Sequence, residues 1–288
     1  MPTTTIFTPH SLPPIARASM FELLANSVIS LTFGPLSALA RVFRFIYPAY
    51  YADPNANIVP FNIFVLLSGI RATLTPGLPR NSIAFFAYEE LKLHPVDTTS
   101  LLEPGWEYMR YCIIDMIAEN PHLIIPSRLF VPYEGTNRAE TSLQRTDMLP
   151  VFFFRSDGGV GVRIDSSTDF DMLLDVPTRI TAKSLKVVLQ FLDYSLNEKQ
   201  IQLRPTAARP AASSRHLARL VASKVSYLIK DAAAENAGIM QWANRRWRVG
   251  SGAGYIGVGD VELLGIVFVS QGKVTPLLRV RSDFVFAF

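Results

Sequence analysis

Between Met20 and Ala40 only Glu22, Asn26 and a few hydroxyls interrupt the apolar side chains, and the run leads straight into Arg41-Val-Phe-Arg-Phe-Ile-Tyr-Pro-Ala-Tyr-Tyr51. Such a stretch must be covered by a protein core, a bilayer or a partner groove, because exposing that much apolar surface to water is unfavourable. Its length matches the roughly 20 residues that cross a hydrocarbon core, so membrane docking or insertion over 20–51 is one expectation. Glu22, Asn26 and Gly34-Pro35 weigh against a span and for two packed helices. The first begins near Ser19 and runs to Leu31; the second is opened by Pro35 and ended by Pro48. Arg41 and Arg44, interleaved with aromatics, suit an interface or an anionic polymer better than a catalytic centre.

Of the 288 residues, 49% are hydrophobic and 18% charged, which excludes a disordered chain and leaves a surface poor in charge. Self-association into a homo-oligomer would cover such a surface. The net charge of +4 is a weak field over this length, so local clustering matters more than the total. The single cysteine, Cys112, excludes an intrachain disulfide. It points to an intracellular compartment, cytoplasmic or nuclear, as does the absence of a basic leader from the first fourteen residues.

The pattern along the chain predicts an α+β fold: a helix-rich part over 15–121, preceded by a flexible arm over 1–14, then a mainly antiparallel β part over 122–288 with one inserted helix. The same change of texture is compatible with one domain from 15 to 288. Phe61–Leu74 reads as a buried strand, and Asn81 or Ser82 as the start of a short helix, with Ile83–Tyr88 equally readable as strand. Gly105–Asn120 reads as a helix carrying Tyr108, Cys112 and Asp115 on one face. Leu123–Val131 reads as a strand bent by its proline, and Tyr133–Asp147 as a polar loop. Val151–Ile164 predicts a hairpin about Asp157-Gly-Gly159, and Leu185–Tyr194 leans towards helix. The proline- and alanine-rich 204–214 reads as an exposed linker or long loop. Ser213 or Ser214 caps a helix Arg215–Asn236, closed by Gly238. Strands follow at Gly254–Val258, Val261–Val269, Val274–Val280 and Phe284–Phe288.

Motifs for chemistry fail on context. Gly252-Ala-Gly254-Tyr-Ile-Gly257 matches a dinucleotide fingerprint in letters, but a strand follows where a helix is required. Gly272-Lys273 is followed by Val274, without the hydroxyl that would hold magnesium in a phosphate loop. Asp165, Asp169 and Asp171 lack the spacing of a calcium loop. His10, His94, His122 and His216 are too scattered for a zinc motif. The expectation is therefore no catalytic, cofactor or metal residue, and no small-molecule cofactor.

Two arginine groups survive. Trp242-Ala-Asn-Arg245-Arg246-Trp247-Arg248 sets stacking rings beside guanidinium groups, a combination that holds single-stranded nucleic acid. Arg215 and Arg219 share a face of the helix that follows Ser214. With Arg41 and Arg44 they define the expected nucleic-acid surface of a non-enzymatic, self-associating interaction protein. Membrane docking and an enzyme with a purely tertiary site are the two alternatives.

Overall fold

The computed structural model of the chain describes residues 14–52, 63, 69–71, 79–87, 110–129, 149–207, 210–235 and 245–286. It is a mixed α+β fold whose helices and strands are interspersed. The helices are α1 (Pro14–Leu24), α2 (Val28–Phe33), α3 (Pro35–Ala52), α4 (Ser167–Asp171) and α5 (Ser214–Ala234). The strands are β1 (Gly69–Arg71), β2 (Ser82–Ala87), β3 (Arg110–Met116), β4 (Val151–Phe152), β5 (Val162–Arg163), β6 (Ser184–Leu189), β7 (Asn197–Gln202), β8 (Val261–Ser270) and β9 (Lys273–Val280).

The apolar run at 20–40 is neither a span nor an interfacial segment but part of a core. Ser27 breaks it, its hydroxyl accepting the Ser30 amide to cap α2, and Pro35 opens α3 after Gly34. Met20, Leu24, Val28, Ile29, Leu39 and Phe43 are all buried. Among the described residues no helix is long and apolar enough to cross a membrane, which overturns the membrane partnership expected of 20–51. The second helix also passes Pro48 and continues to Ala52.

Two sheets organise the rest. β1, β2 and β3 form an antiparallel sheet in that order, and the larger sheet runs β4-β8-β9-β6-β7, antiparallel except for the parallel pair β6 and β9. β8 is buried on both faces, as a continuous apolar strand at a sheet centre should be. Val261, Leu263, Ile266 and Phe268 join a core with Leu217, Val221, Val225 and Leu228 of α5. Leu264 and Val267 join a second core with α1, α2, α3, β2 and β3. The sequence at 15–121 therefore packs directly against strands from the far end of the chain.

Several elements differ from expectation. Arg110–Met116, inside the expected helix, is a strand paired along β2, and Ser82–Ala87 takes the strand alternative. Ile113 and Ile114 are consecutive and both buried, which a strand covered on two sides permits. β6 replaces the expected helix at Leu185, with Leu185, Val187 and Leu189 buried and Lys186 exposed. Residues 121–127 form a short 3-10 turn and isolated bridges, with no continuous strand. Gly254–Val258 and Phe284–Phe286 are not strands either. The stretch after Arg204 is a loop, with Arg204, Thr206, Ala207 and Pro210 exposed, and only its end is anchored: Ala212 is buried, its carbonyl accepts the Thr178 amide at 2.8 Å and hydroxyl at 2.7 Å, and Pro177 bridges Ser213.

β4 and β5 are two pieces of one edge strand on β8, Val151 and Phe152 opposite Ile266 and Gly265, and Val162 and Arg163 opposite Leu263 and Glu262. The hairpin expected over Val151–Ile164 is confined to residues 153–161, which leave the sheet about Asp157-Gly158-Gly159, because its outer runs pair with β8 and not with each other. Phe154 bridges Val160 and the Arg155 amide donates to the Gly159 carbonyl at 2.9 Å. Gly158, at φ +82°, supplies the left-handed turn residue. The expected loop at 133–147 and the closure at Gly238 lie outside the described residues, as does most of Phe61–Leu74 around β1.

α5 begins where its sequence signal places it. The Ser213 hydroxyl accepts the His216 amide at 3.3 Å, and an apolar stripe from Leu217 to Ala232 is buried. Ser213→Ala is expected to cost about 1 kcal/mol in urea unfolding and Ser213→Gly only a few tenths, because glycine tolerates the cap geometry.

Candidate functional site

Three of the seven arginines singled out from the sequence, Arg41, Arg215 and Arg219, tie elements of the fold together. Arg41, partly buried on α3, donates from Nη1 to the Phe268 carbonyl of β8 at 2.8 Å. Arg215 donates from Nη2 to the carbonyls of Asp171 (3.2 Å) and Leu173 (2.9 Å), tying α5 to α4. Arg219 pairs with Asp171 at 2.7 Å, its guanidinium 5.9 Å from the Phe170 ring. Arg44 lies on α3, but its side chain, like the whole of Trp242, lies outside the described residues.

Arg245, Arg246 and Trp247 form one 3-10 turn, with both arginines exposed. Arg246 donates to the His122 carbonyl at 2.6 Å, and its guanidinium sits 4.3 Å from the Phe286 ring centroid and 5.3 Å from that of Trp247. Trp247 meets Phe286 edge-on at 5.4 Å, and Phe286 meets Phe284 edge-on at 5.0 Å. Arg248 donates to the Tyr255 hydroxyl at 3.0 Å. The sequence reading anticipated this arginine–aromatic group but missed its partners Tyr255, Phe284 and Phe286, which come from later segments. The glycines at 250–257 wrap Tyr255: a Cβ on Gly252 would stand 3.0 Å from its ring. A 3-10 turn and then β8 follow, so no helix terminus faces a phosphate there.

The acidic residues at 165–171 are engaged in the fold. Asp169 accepts from the Arg163 guanidinium and the Ser166 hydroxyl, and Asp171 pairs with Arg219. Among the described residues no three His, Cys, Asp or Glu side chains gather as a metal site.

A cavity of about 730 Å³ opens where the Pro79–Ser82 turn and the end of β3 face the small hairpin at 153–161. Its apolar wall includes Val28, Met116, Val160 and Leu264, and its polar wall Arg80, Asn81, Glu119, Arg155, Asp157 and Arg279. The Arg155 Nε donates to Asp157 Oδ1 at 3.1 Å, and Asp157 Oδ1 also accepts the Gly159 amide at 3.0 Å. The hydrogen bond from Arg155, then that from Gly159, holds the Asp157 carboxyl below its usual range; the same pair raises Arg155. Arg279 is neutralised by Glu262 and donates to the Val160 carbonyl at 3.4 Å. These residues lie far apart in sequence, and only the Asp-Gly-Gly turn announced any of them.

Beneath α2, Asp115 of β3 is 1% exposed. Its Oδ1 accepts the amides of Ile29 at 3.1 Å and Met116 at 2.8 Å, while Oδ2 makes no well-formed hydrogen bond. Burial pushes its carboxyl up to about 7; the Ser27 hydroxyl, the two amides and the charge of Arg41 pull the other way and do not win.

No family model, curated protein or solved structure matches this chain.

Proposed function

We propose that this is a non-enzymatic binding protein that holds a single-stranded nucleic acid through Arg245, Arg246, Trp247 and Arg248. The observation that carries the reading is one group: two exposed arginines on a fixed turn beside the rings of Trp247 and Phe286, with Arg246 4.3 Å from the latter. Guanidinium groups neutralise phosphates while aromatic and guanidinium planes accept unpaired bases, and neither requires a particular sequence. Arg41, Arg215 and Arg219 are left out of the proposed surface because they stand on α3 and α5, outside this arginine–aromatic group; engagement by the fold does not separate them, since Arg246 also donates to a carbonyl, that of His122. Self-association rests on the charge-poor surface alone, since the side chains at Met20, Leu24, Val28, Ile29 and Leu39 are buried within the fold.

Fluorescence anisotropy with a labelled oligouridylate across a salt series tests the reading. The full chain is expected to bind at low salt and release as salt rises. Arg245→Ala with Arg246→Ala should weaken binding at least about tenfold and flatten the logarithmic salt slope by ~1.4, since each phosphate contact on a single strand contributes about 0.7. Arg219→Ala should change neither. No binding at low salt, or equal losses from Arg219→Ala and the double variant, would sink the reading. Light scattering on the same samples reports any assembly.

A further inference from the structure

The polar wall of the 730 Å³ cavity divides into charges that are already compensated and two that are not. Arg155 is matched by Asp157 and Arg279 by Glu262. Arg80 makes no hydrogen bond or ion pair among the described residues, and Glu119 has only the neutral Asn81 amide, donating from Nδ2 to Oε1 at 3.4 Å. Opposite charges thus stand on one rim, coupled through Asn81, without meeting each other.

Arg80 is presented by a pinned turn. The Ser82 amide (3.2 Å) and hydroxyl (2.7 Å) both donate to the Pro79 carbonyl, and the Ile117 amide donates to the Asn81 carbonyl at 2.7 Å. Glu119 lies three residues beyond the end of β3 and next to Ala118, whose amide donates to the Asn26 carbonyl at 2.8 Å. Both backbones are fixed before any ligand arrives, which reduces the ordering cost of binding. Beneath them Val28, Met116, Val160 and Leu264 offer an apolar floor, and the volume lies within the roughly 300–1,000 Å³ of small-molecule sites.

We propose that this cavity binds a small zwitterion with an apolar body, the chemistry of an aromatic α-amino acid. Its carboxylate pairs with Arg80, its ammonium with Glu119, and its apolar group lies on the floor. An anion alone would leave Glu119 unmatched and facing a like charge; a cation alone would do the same to Arg80. This inference is independent of nucleic-acid binding at Arg245 and Arg246.

Isothermal titration calorimetry of the full chain with L-tryptophan, L-tryptophanamide and N-acetyl-L-tryptophan tests it. L-tryptophan is expected to bind at one site, and each derivative, having lost one charge, roughly tenfold more weakly, the scale of one charge-assisted hydrogen bond. Arg80→Ala should weaken L-tryptophan about tenfold and leave the amide unchanged; Glu119→Gln should weaken L-tryptophan and leave the N-acetyl form unchanged. Val160→Trp, which fills the cavity, should abolish all three. Both rim residues are exposed, so these variants should keep the wild-type circular dichroism spectrum. The proposal fails if L-tryptophan gives no saturable heat at millimolar concentration, if the N-acetyl form binds as tightly as L-tryptophan, if the rim variants weaken all three ligands equally, or if Val160→Trp still binds.

Discussion

Asp115→Asn is expected to abolish most of the loss of stability that the wild type shows on going from about pH 4 to about pH 8. In the folded chain the Asp115 carboxyl titrates at about 7, against an ordinary value of 3.8. The folded state therefore holds a proton that the unfolded state releases, so stability is fully present below 3.8 and falls as pH rises through about 7. At ~1.4 kcal/mol per pH unit of displacement, the full loss is on the order of 4 kcal/mol, a large part of the stability of an ordinary domain. Asparagine keeps an oxygen for the Ile29 and Met116 amides and cannot ionise. Urea midpoints across the range should fall for the wild type and stay level for the variant, which should be the more stable of the two at the alkaline end. A variant that loses stability as steeply as the wild type would show that another group sets the slope. At the acid end the sign reverses. Burial works against the Asp169 carboxylate, but hydrogen bonds from Arg163 and Ser166 outweigh it and hold its carboxyl down at about 2. Its contribution is therefore present above the ordinary carboxylate range and lost as pH falls towards 2. Stability should peak in mildly acidic solution.

What could be read from the sequence was whatever local chemistry decides. Pro35 starts α3, Ser213 caps α5, and Val261–Ser270 with Lys273–Val280 is the antiparallel pair that its apolar runs and Gln-Gly turn predicted. Arg110–Met116 was misread because Tyr-Cys-Ile-Ile carries neither strict alternation nor a helical stripe: it is buried from two sides, and pairing with β2 decides the matter. Lys186-Val-Val-Leu189 misled in the same way. The arginines show the limit for function. Side chains that look alike in sequence reach carbonyls at Arg41, Arg215 and Arg246 and a carboxylate at Arg219, and only the fold assigns each its partner. Apart from its Asp-Gly-Gly turn the cavity was hidden, since Arg80, Glu119 and Arg155 are brought to its walls by tertiary packing and no spacing encodes that.

Gly265→Ala should be strongly destabilising, since of the described glycines this is the one whose added methyl would stand nearest another atom. At Gly265 the edge strand comes so close to β8 that a Cβ would stand 2.5 Å from the Val151 carbonyl oxygen and 3.1 Å from the Phe152 Cα, both backbone atoms. No rotamer relieves a clash with backbone, so either β4 lifts away or β8 bends. Either movement strains the amide of Phe153, which donates to the Leu264 carbonyl at 2.9 Å, and displaces Phe152 and Phe153 from their two cores. The expected cost is about 3 kcal/mol, the upper end for overpacking a buried site. Gly272→Ala is the matched control: it lies in the turn between β8 and β9, with no atom within 4 Å of its Cβ position, and should stay within about 0.5 kcal/mol of the wild type. Because residues 153–161 wall the cavity and hang from this contact, Gly265→Ala should also weaken L-tryptophan binding at Arg80 and Glu119 while sparing oligouridylate binding at Arg245 and Arg246. Equal stability of the two alanine variants would mean that β4 and β5 do not lie on β8 as one interrupted strand, and the cavity would lose its wall with them.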